Sequence, residues 1–180
     1  MTEADPESEK QRVLYLIVCA APPAQQIREF VVLAQSAQWD VCVIATPQAT
    51  HFMDSAALVA LTGHPVRSEY KLPGEADVLP KADAIVVAPA TFNTINKWAL
   101  GIGDTLAVSM LCESLGRGTP PIVAVPYLKP DLARHPAFSK SLKLLQENGV
   151  CILYDPERYS SPLMMPWVVI IDTLGQVQID

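Results

Sequence analysis

The chain has 180 residues, half of them apolar and 18% charged, with a formal net charge of −6. That is the size of one domain with ample material for a core, and no apolar run reaches the roughly 18–20 residues that cross a bilayer. The acidic balance, without clustered Lys and Arg, excludes a nucleic-acid footprint.

Met1 to Arg12 is polar and acidic, the opposite of a signal peptide, which needs a basic start and an apolar stretch. Residues 1–12 are therefore expected to form a flexible tail and residues 13–180 a single domain of a cytoplasmic protein. Val13 to Cys19 is a continuous apolar run of strand length, as in a strand buried on both faces. Pro22-Pro23 presets a helix start, and Ile27, Phe30, Val31 and Ala34 fall on one face of a helix over residues 23–36. Val41 to Ala45 is a second strand, and Pro47 to Leu61 a second helix stopped at Gly63. Val66 to Tyr70 reads as a short third strand, followed by a polar loop.

Ala84 to Ala88 (AIVVA) is the clearest central strand. Helices are expected over Thr94–Leu100 and Asp104–Leu115, a fifth strand over Ile122–Val125, a helix over Ala137–Asn148 and a sixth strand over Val150–Tyr154. Residues 163–180 fit two readings: the β-branched run Trp167 to Ile171 suits a strand, while Pro166 before it suits a helix start. Such alternation implies an α/β domain with a central parallel sheet and helices on both faces. Cys19, Cys42, Cys112 and Cys151 show no CxxC spacing and read as free thiols, with no disulfide or metal site.

Ligands of such sheets bind beyond the carboxyl ends of the strands, so the informative loops are Ala20–Pro23, Thr46–Thr50, Pro89–Thr94 and Pro126–Pro136. The loop after the AIVVA strand places hydroxyl and amide side chains where a strand meets a helix N-terminus. Unpaired backbone N–H groups there suit a phosphate or carbonyl oxygen. The same residues suit a helix cap, Thr91 or Asn93 merely satisfying backbone donors. Both readings stand on the residues alone.

The run Val87 to Leu106 resembles the PASANT motif and following GIADNL segment of the homo-oligomeric flavin-containing cysteine decarboxylases. That family includes phosphopantothenoylcysteine decarboxylase and the peptidyl-cysteine decarboxylases of lantibiotic biosynthesis. Thr46 to Phe52 resembles the family's TPxAxxF segment, and Pro126 to Pro136 keeps the frame of PxMNxxMWxxP. The resemblance spans about Val13 to Tyr154. It implies a three-layer, Rossmann-like (flavodoxin-like) fold, an FMN cofactor, a small-molecule or peptide substrate, and a homo-oligomer built as a trimer or a multiple of trimers. By resemblance, Thr46 and the first loop with Ala21 hold the FMN phosphate, while Pro89, Ala90, Thr91, Asn93 and Thr94 line the flavin.

The frame also carries departures. The family's Gly-Ser in the first loop is Ala20-Ala21 here, followed by Pro22. Counting back from Asp83 puts Glu75 at the position of the family's catalytic histidine. In PxMNxxMW, Lys129 stands for the Asn and Ala133 for the Trp. Glu75 as an acid or base, His64 as a histidine reaching the site, and Lys129 as a cation for a carboxylate or phosphate are the remaining catalytic candidates. Each also suits an ordinary surface or structural role. His51 is read as packing beside the flavin loop, His135 as a lone histidine, and Tyr127 as a stacking residue. The sequence thus points to an FMN-binding flavoprotein diverged in activity. The alternatives are a non-catalytic flavin-binding or regulatory subunit, an active decarboxylase of a cysteine-containing small molecule or peptide, and a domain that binds another nucleotide or none.

Overall fold

The structure, a computed structural model, describes residues 11–159 and 161–177. The tail expected over residues 1–12 lies outside them apart from its last two positions. Five parallel strands form one sheet: β1 (Arg12–Val18), β2 (Trp39–Ala45), β3 (Ala84–Ala90), β4 (Ile122–Pro126) and β5 (Cys151–Ile152), in the order β2-β1-β3-β4-β5. Alternate residues of the central strands enter different cores, as the two-residue period of a strand dictates. Leu14, Leu16 and Val18 pack with Phe30, Ile170 and Leu174 on one face. Ile17 and Cys19 pack with Ile95, Trp98, Leu111 and Phe138 on the other.

The first face is covered by α1 (Ile27–Ser36) and α7 (Trp167–Leu174), which pack on each other, with Leu58 of α2 (Ser55–Thr62) at the side. The second is covered by α3 (Phe92–Ala99), α4 (Leu106–Arg117) and α6 (Pro136–Glu147). A single turn, α5 (Pro130–Ala133), precedes α6. This is the expected three-layer, Rossmann-like α/β arrangement. The helices that follow β1 and β3 lie on opposite faces of two adjacent strands, so their first turns diverge and leave a crevice at the carboxyl edge.

Three details differ from the sequence expectation, and one open reading is decided. Val66–Tyr70 is not a strand; Arg67 makes one isolated parallel bridge to Ile44, through Ala45 N to Arg67 O (2.7 Å) and Arg67 N to Val43 O (3.1 Å). The exposed Glu69 and Tyr70 then leave the edge. The helix expected over 47–61 is broken. A 3-10 turn spans Pro47–His51, and Asp54 starts α2 anew by accepting the Ala57 N–H at 3.0 Å. The sixth predicted strand shrinks to two residues paired with β4. The ambiguous C-terminal run is a helix that buries Ile170 and Leu174, four residues apart, against the sheet.

Candidate functional site

Three turns meet at the carboxyl edge. The strand ends are joined by Cys19 N to Pro89 O (3.2 Å), Thr46 N to Val18 O (2.9 Å) and Tyr127 N to Ala90 O (2.9 Å). Above them lies an open cleft of about 450 Å³. Ala20 contributes the β1 side, Thr46, Pro47 and Gln48 the β2 side, and Thr91, Asn93 and Thr94 the β3 side. The far wall comes from Lys97, Asp104, Thr105 and Val108.

Two helix N-termini open into this cleft. Thr91 caps α3, its Oγ1 accepting from Thr94 N at 3.4 Å and donating to Thr94 Oγ1 at 3.1 Å. Thr105 caps α4, its Oγ1 accepting from Val108 N at 3.3 Å. Each cap satisfies one donor of a first turn and leaves others facing outward with the positive end of the helix dipole. The wall is thus rich in hydroxyls and N–H groups, suited to phosphate or carbonyl oxygens.

Beneath the cleft, Cys19 is fully buried. Burial pushes its thiol upward, offset in part by hydrogen bonds from the Thr94 side chain and from Thr91. It is a neutral packing group rather than a nucleophile.

The sequence candidates separate by position. Thr46, Thr91, Asn93 and Thr94 line the cleft, and Asn93 is exposed to solvent. Pro89 and Ala90 are buried in β3 behind it, their carbonyls already accepting from Cys19 and Tyr127. In the first loop Ala20 lines the cleft, while Ala21 is buried and its carbonyl accepts the Ala24 N–H of the 3-10 turn Pro22–Gln26 at 2.9 Å.

Glu75 is exposed and closes its own loop, Oε2 accepting from Leu72 N at 2.8 Å. Lys129 is exposed at the start of α5. His64 pairs with Asp40 near the amino end of β2. Thr46 lies six residue steps on from Asp40, about 20 Å along an extended strand. None of the three lines the cleft. His51 is exposed. His135 caps α6 through Nδ1, accepting from Ala137 N at 3.1 Å, and meets Phe92 edge-on with ring centroids 5.5 Å apart. The Tyr127 hydroxyl accepts from Ser161 Oγ at 3.3 Å.

Lys97, Asp104 and Thr105 also line the cleft and are not among the residues expected there from the sequence. The signal for Thr105 was present, a threonine directly before an apolar run. Asp104, expected at the start of the helix, instead lies before the Thr105 cap.

A family model described as Flavoprotein matches residues 1–177. Among curated proteins, the coenzyme A biosynthesis bifunctional protein CoaBC of Bacillus subtilis (strain 168) is 32% identical over 126 residues, 67% of this chain and 30% of that protein. The matched region thus spans less than a third of that relative's length. Among solved structures, a mutant of PPC decarboxylase complexed with pantothenoylaminoethenethiol has a TM-score of 0.75 at 18% identity, covering 93% of this chain and 98% of that one. Peptidyl-cysteine decarboxylase EpiD has a TM-score of 0.76 at 20% identity, covering 91% and 98%. At these identities the two structures speak for the fold.

Proposed function

The chain belongs to the flavoprotein family, and on that premise we propose that it binds FMN in the cleft between the carboxyl ends of β1 and β3. The observation that carries this reading is the convergence of two capped helix N-termini, Thr91 on α3 and Thr105 on α4, on one cleft at the switch point of a parallel sheet. The donor set fits the group: Thr46 and the Ala20-Ala21 turn on the phosphate side, and Thr91, Asn93 and Thr94 beside the ring, with Pro89 and Ala90 packing behind. A bound flavin supplies two-electron redox chemistry; the chain's own residues bind it, orient it and shield one side of it.

The reaction is read as diverged from cysteine decarboxylation. Glu75 occupies the motif histidine position and Lys129 the motif asparagine position, and both are exposed outside the cleft lining. The substrate is a small molecule or peptide, and the flavin sits at a subunit boundary of a homo-oligomer, a trimer or a multiple of trimers. The second reading, a non-catalytic flavin-binding subunit, is favoured by the same two positions.

The absorption spectrum of the purified protein tests the cofactor. Flavin bands that on release chromatograph as FMN are expected; a colourless protein that ignores added FMN sinks the reading. Anaerobic mixing with phosphopantothenoylcysteine or with peptides ending in cysteine tests the reaction. Carbon dioxide release at an enzymatic rate overturns the divergence. Light scattering at micromolar concentration tests the trimer.

A further inference from the structure

A second cavity, of about 440 Å³, opens at the same sheet edge and shares no lining residue with the flavin cleft. The turn after β1 separates them: Ala20 borders the cleft, while Pro22 and Pro23 border the cavity. Tyr127 reaches it from the end of β4, Glu29 from the first turn of α1, and residues 162–167 close the remaining side. Small-molecule sites occupy roughly 300–1,000 Å³, so the space suits a compact organic ligand.

The aromatic side chains are held in place before a ligand arrives. Trp167 meets Phe30 edge-on, with ring centroids 5.8 Å apart. Tyr127 is buried, its N–H donating to Ala90 O and its hydroxyl accepting from Ser161 Oγ. The charge of the cavity is one-sided. In the flavin cleft Lys97 and Asp104, seven residues apart, are ion-paired with each other. Here Glu29 is the one charged side chain among the described lining residues, and among the described residues it makes no ion pair or hydrogen bond. The adjacent Arg28 borders another groove along α1, and Lys129 lies outside the cavity. Pro22, Pro23, Pro162 and Pro166 have no N–H to offer an anion, and the amides of Gln25 and Gln26 serve either sign. A carboxylate or phosphate entering here meets a like charge and no cation. An ammonium meets a carboxylate and two rings whose π faces attract it.

We propose that this cavity binds an organic cation, an ammonium or guanidinium carried on an apolar body, with Glu29 as its counter-charge and Tyr127 and Trp167 beside it. The site goes beyond the flavin reading and stands without it. It selects against a ligand that presents a carboxylate at the same place. A first-turn carboxylate also steadies its helix through the dipole, a role that gives no preference among ligands.

The test is a ligand-observed NMR titration of the full-length protein with probes of similar shape: phenethylammonium, neutral 2-phenylethanol and anionic 3-phenylpropionate. Phenethylammonium is expected to bind with a Kd of about 1 mM, as suits so small a probe, and about fivefold more tightly than the alcohol. The anion binds more weakly than both. Glu29→Gln is expected to abolish the preference for the cation while leaving the alcohol unchanged. Glu29→Asp, which keeps the charge, retains most of the preference. Glu113→Gln removes an exposed carboxylate that lies outside the cavity and pairs with Arg117, and it leaves all three probes unchanged. Circular dichroism melts within a few degrees of wild type are expected for the three variants. A wild type without preference for the cation, a preference that survives Glu29→Gln, or an equal loss in Glu113→Gln overturns the proposal. None of these outcomes bears on FMN binding, which the absorption spectrum reads separately.

Discussion

His64 Nε2 lies 2.7 Å from Asp40 Oδ1, with both side chains largely buried, at the end of β2 remote from Thr46. The ring joins the segment after α2 to the second residue of its neighbouring strand, which is a structural duty. Thr62 supports it from the other side, its Oγ1 accepting from His64 N at 3.2 Å. His64→Ala is expected to lower stability by about 1 kcal/mol, since it removes a part-buried hydrogen bond and leaves Asp40 unpaired. The FMN dissociation constant should not move. Urea unfolding and a flavin titration on the same preparation check both halves; a large loss of flavin affinity with unchanged stability would give His64 a role at the flavin site.

Thr91 and Asn93 are neighbours with separable roles. Thr91 is both cap and cleft wall, whereas the exposed Asn93 side chain makes no hydrogen bond among the described residues. Thr91→Ala should therefore cost about 1 kcal/mol of stability as well as flavin affinity. Asn93→Ala should leave the melting curve in place and speed flavin loss during gel filtration. If Asn93→Ala retains flavin like the wild type, the loop is only a cap.

These contrasts also mark what could be read from sequence. The Val13–Cys19 and Ala84–Ala88 runs announce doubly buried strands because burial on both faces removes the polar alternation. Gly63 and Gly149, both at positive φ, mark helix ends because left-handed backbone suits glycine. Val66–Tyr70 misled because its composition suits a strand, while pairing depends on what lies beside it; only Arg67 reaches the β2 edge. Asp54 was hidden inside an apolar stretch whose periodicity continued across the break. In the site, Thr91, Asn93 and Thr94 were legible because they directly follow a strand. The Lys97–Asp104 pair was not, because its seven-residue separation closes only through the turn at Gly101, whose φ is +71°.

Trp98 fixes the helix that carries the cleft. It is 1% exposed, and its Nε1 donates to Leu111 O at 3.1 Å, tying α3 to α4. Ser141 Oγ donates to Asn96 Oδ1 at 2.7 Å and ties α6 to the same helix. Trp98→Phe leaves a void and removes the indole donor, so a loss of about 2–3 kcal/mol is expected. For a domain of this size that corresponds to about 5–10 °C in Tm. A differential scanning melt reads it directly, and a shift under 2 °C would show that α3 is held by its other contacts.

Cys42 makes the alkaline limb of stability testable. Its side chain is inaccessible to solvent. Burial, with a smaller contribution from the charge of Asp40, pushes its thiol from an ordinary 9.0 up to about 12. A thiol is neutral when protonated, so the folded state keeps a proton that the unfolded state releases above pH 9. Between pH 9 and about 12 the native state binds more protons, and stability falls as pH rises, by up to about 1.4 kcal/mol per unit. Below about pH 8 both states hold the proton, and Cys42 contributes no slope. Burial raises Cys19, Cys112, Cys151, Tyr15 and Tyr154 as well, so the wild-type slope is a sum. Comparing Cys42→Ala with wild type by urea unfolding from pH 8 to 10.5 reads the part of that slope that depends on Cys42, including the effect of its charge on Tyr15. The variant starts lower, by the void it leaves, and loses stability less steeply with pH. Parallel curves would mean that the thiol titrates near its ordinary value and that the β2 core is more accessible to water than its packing implies.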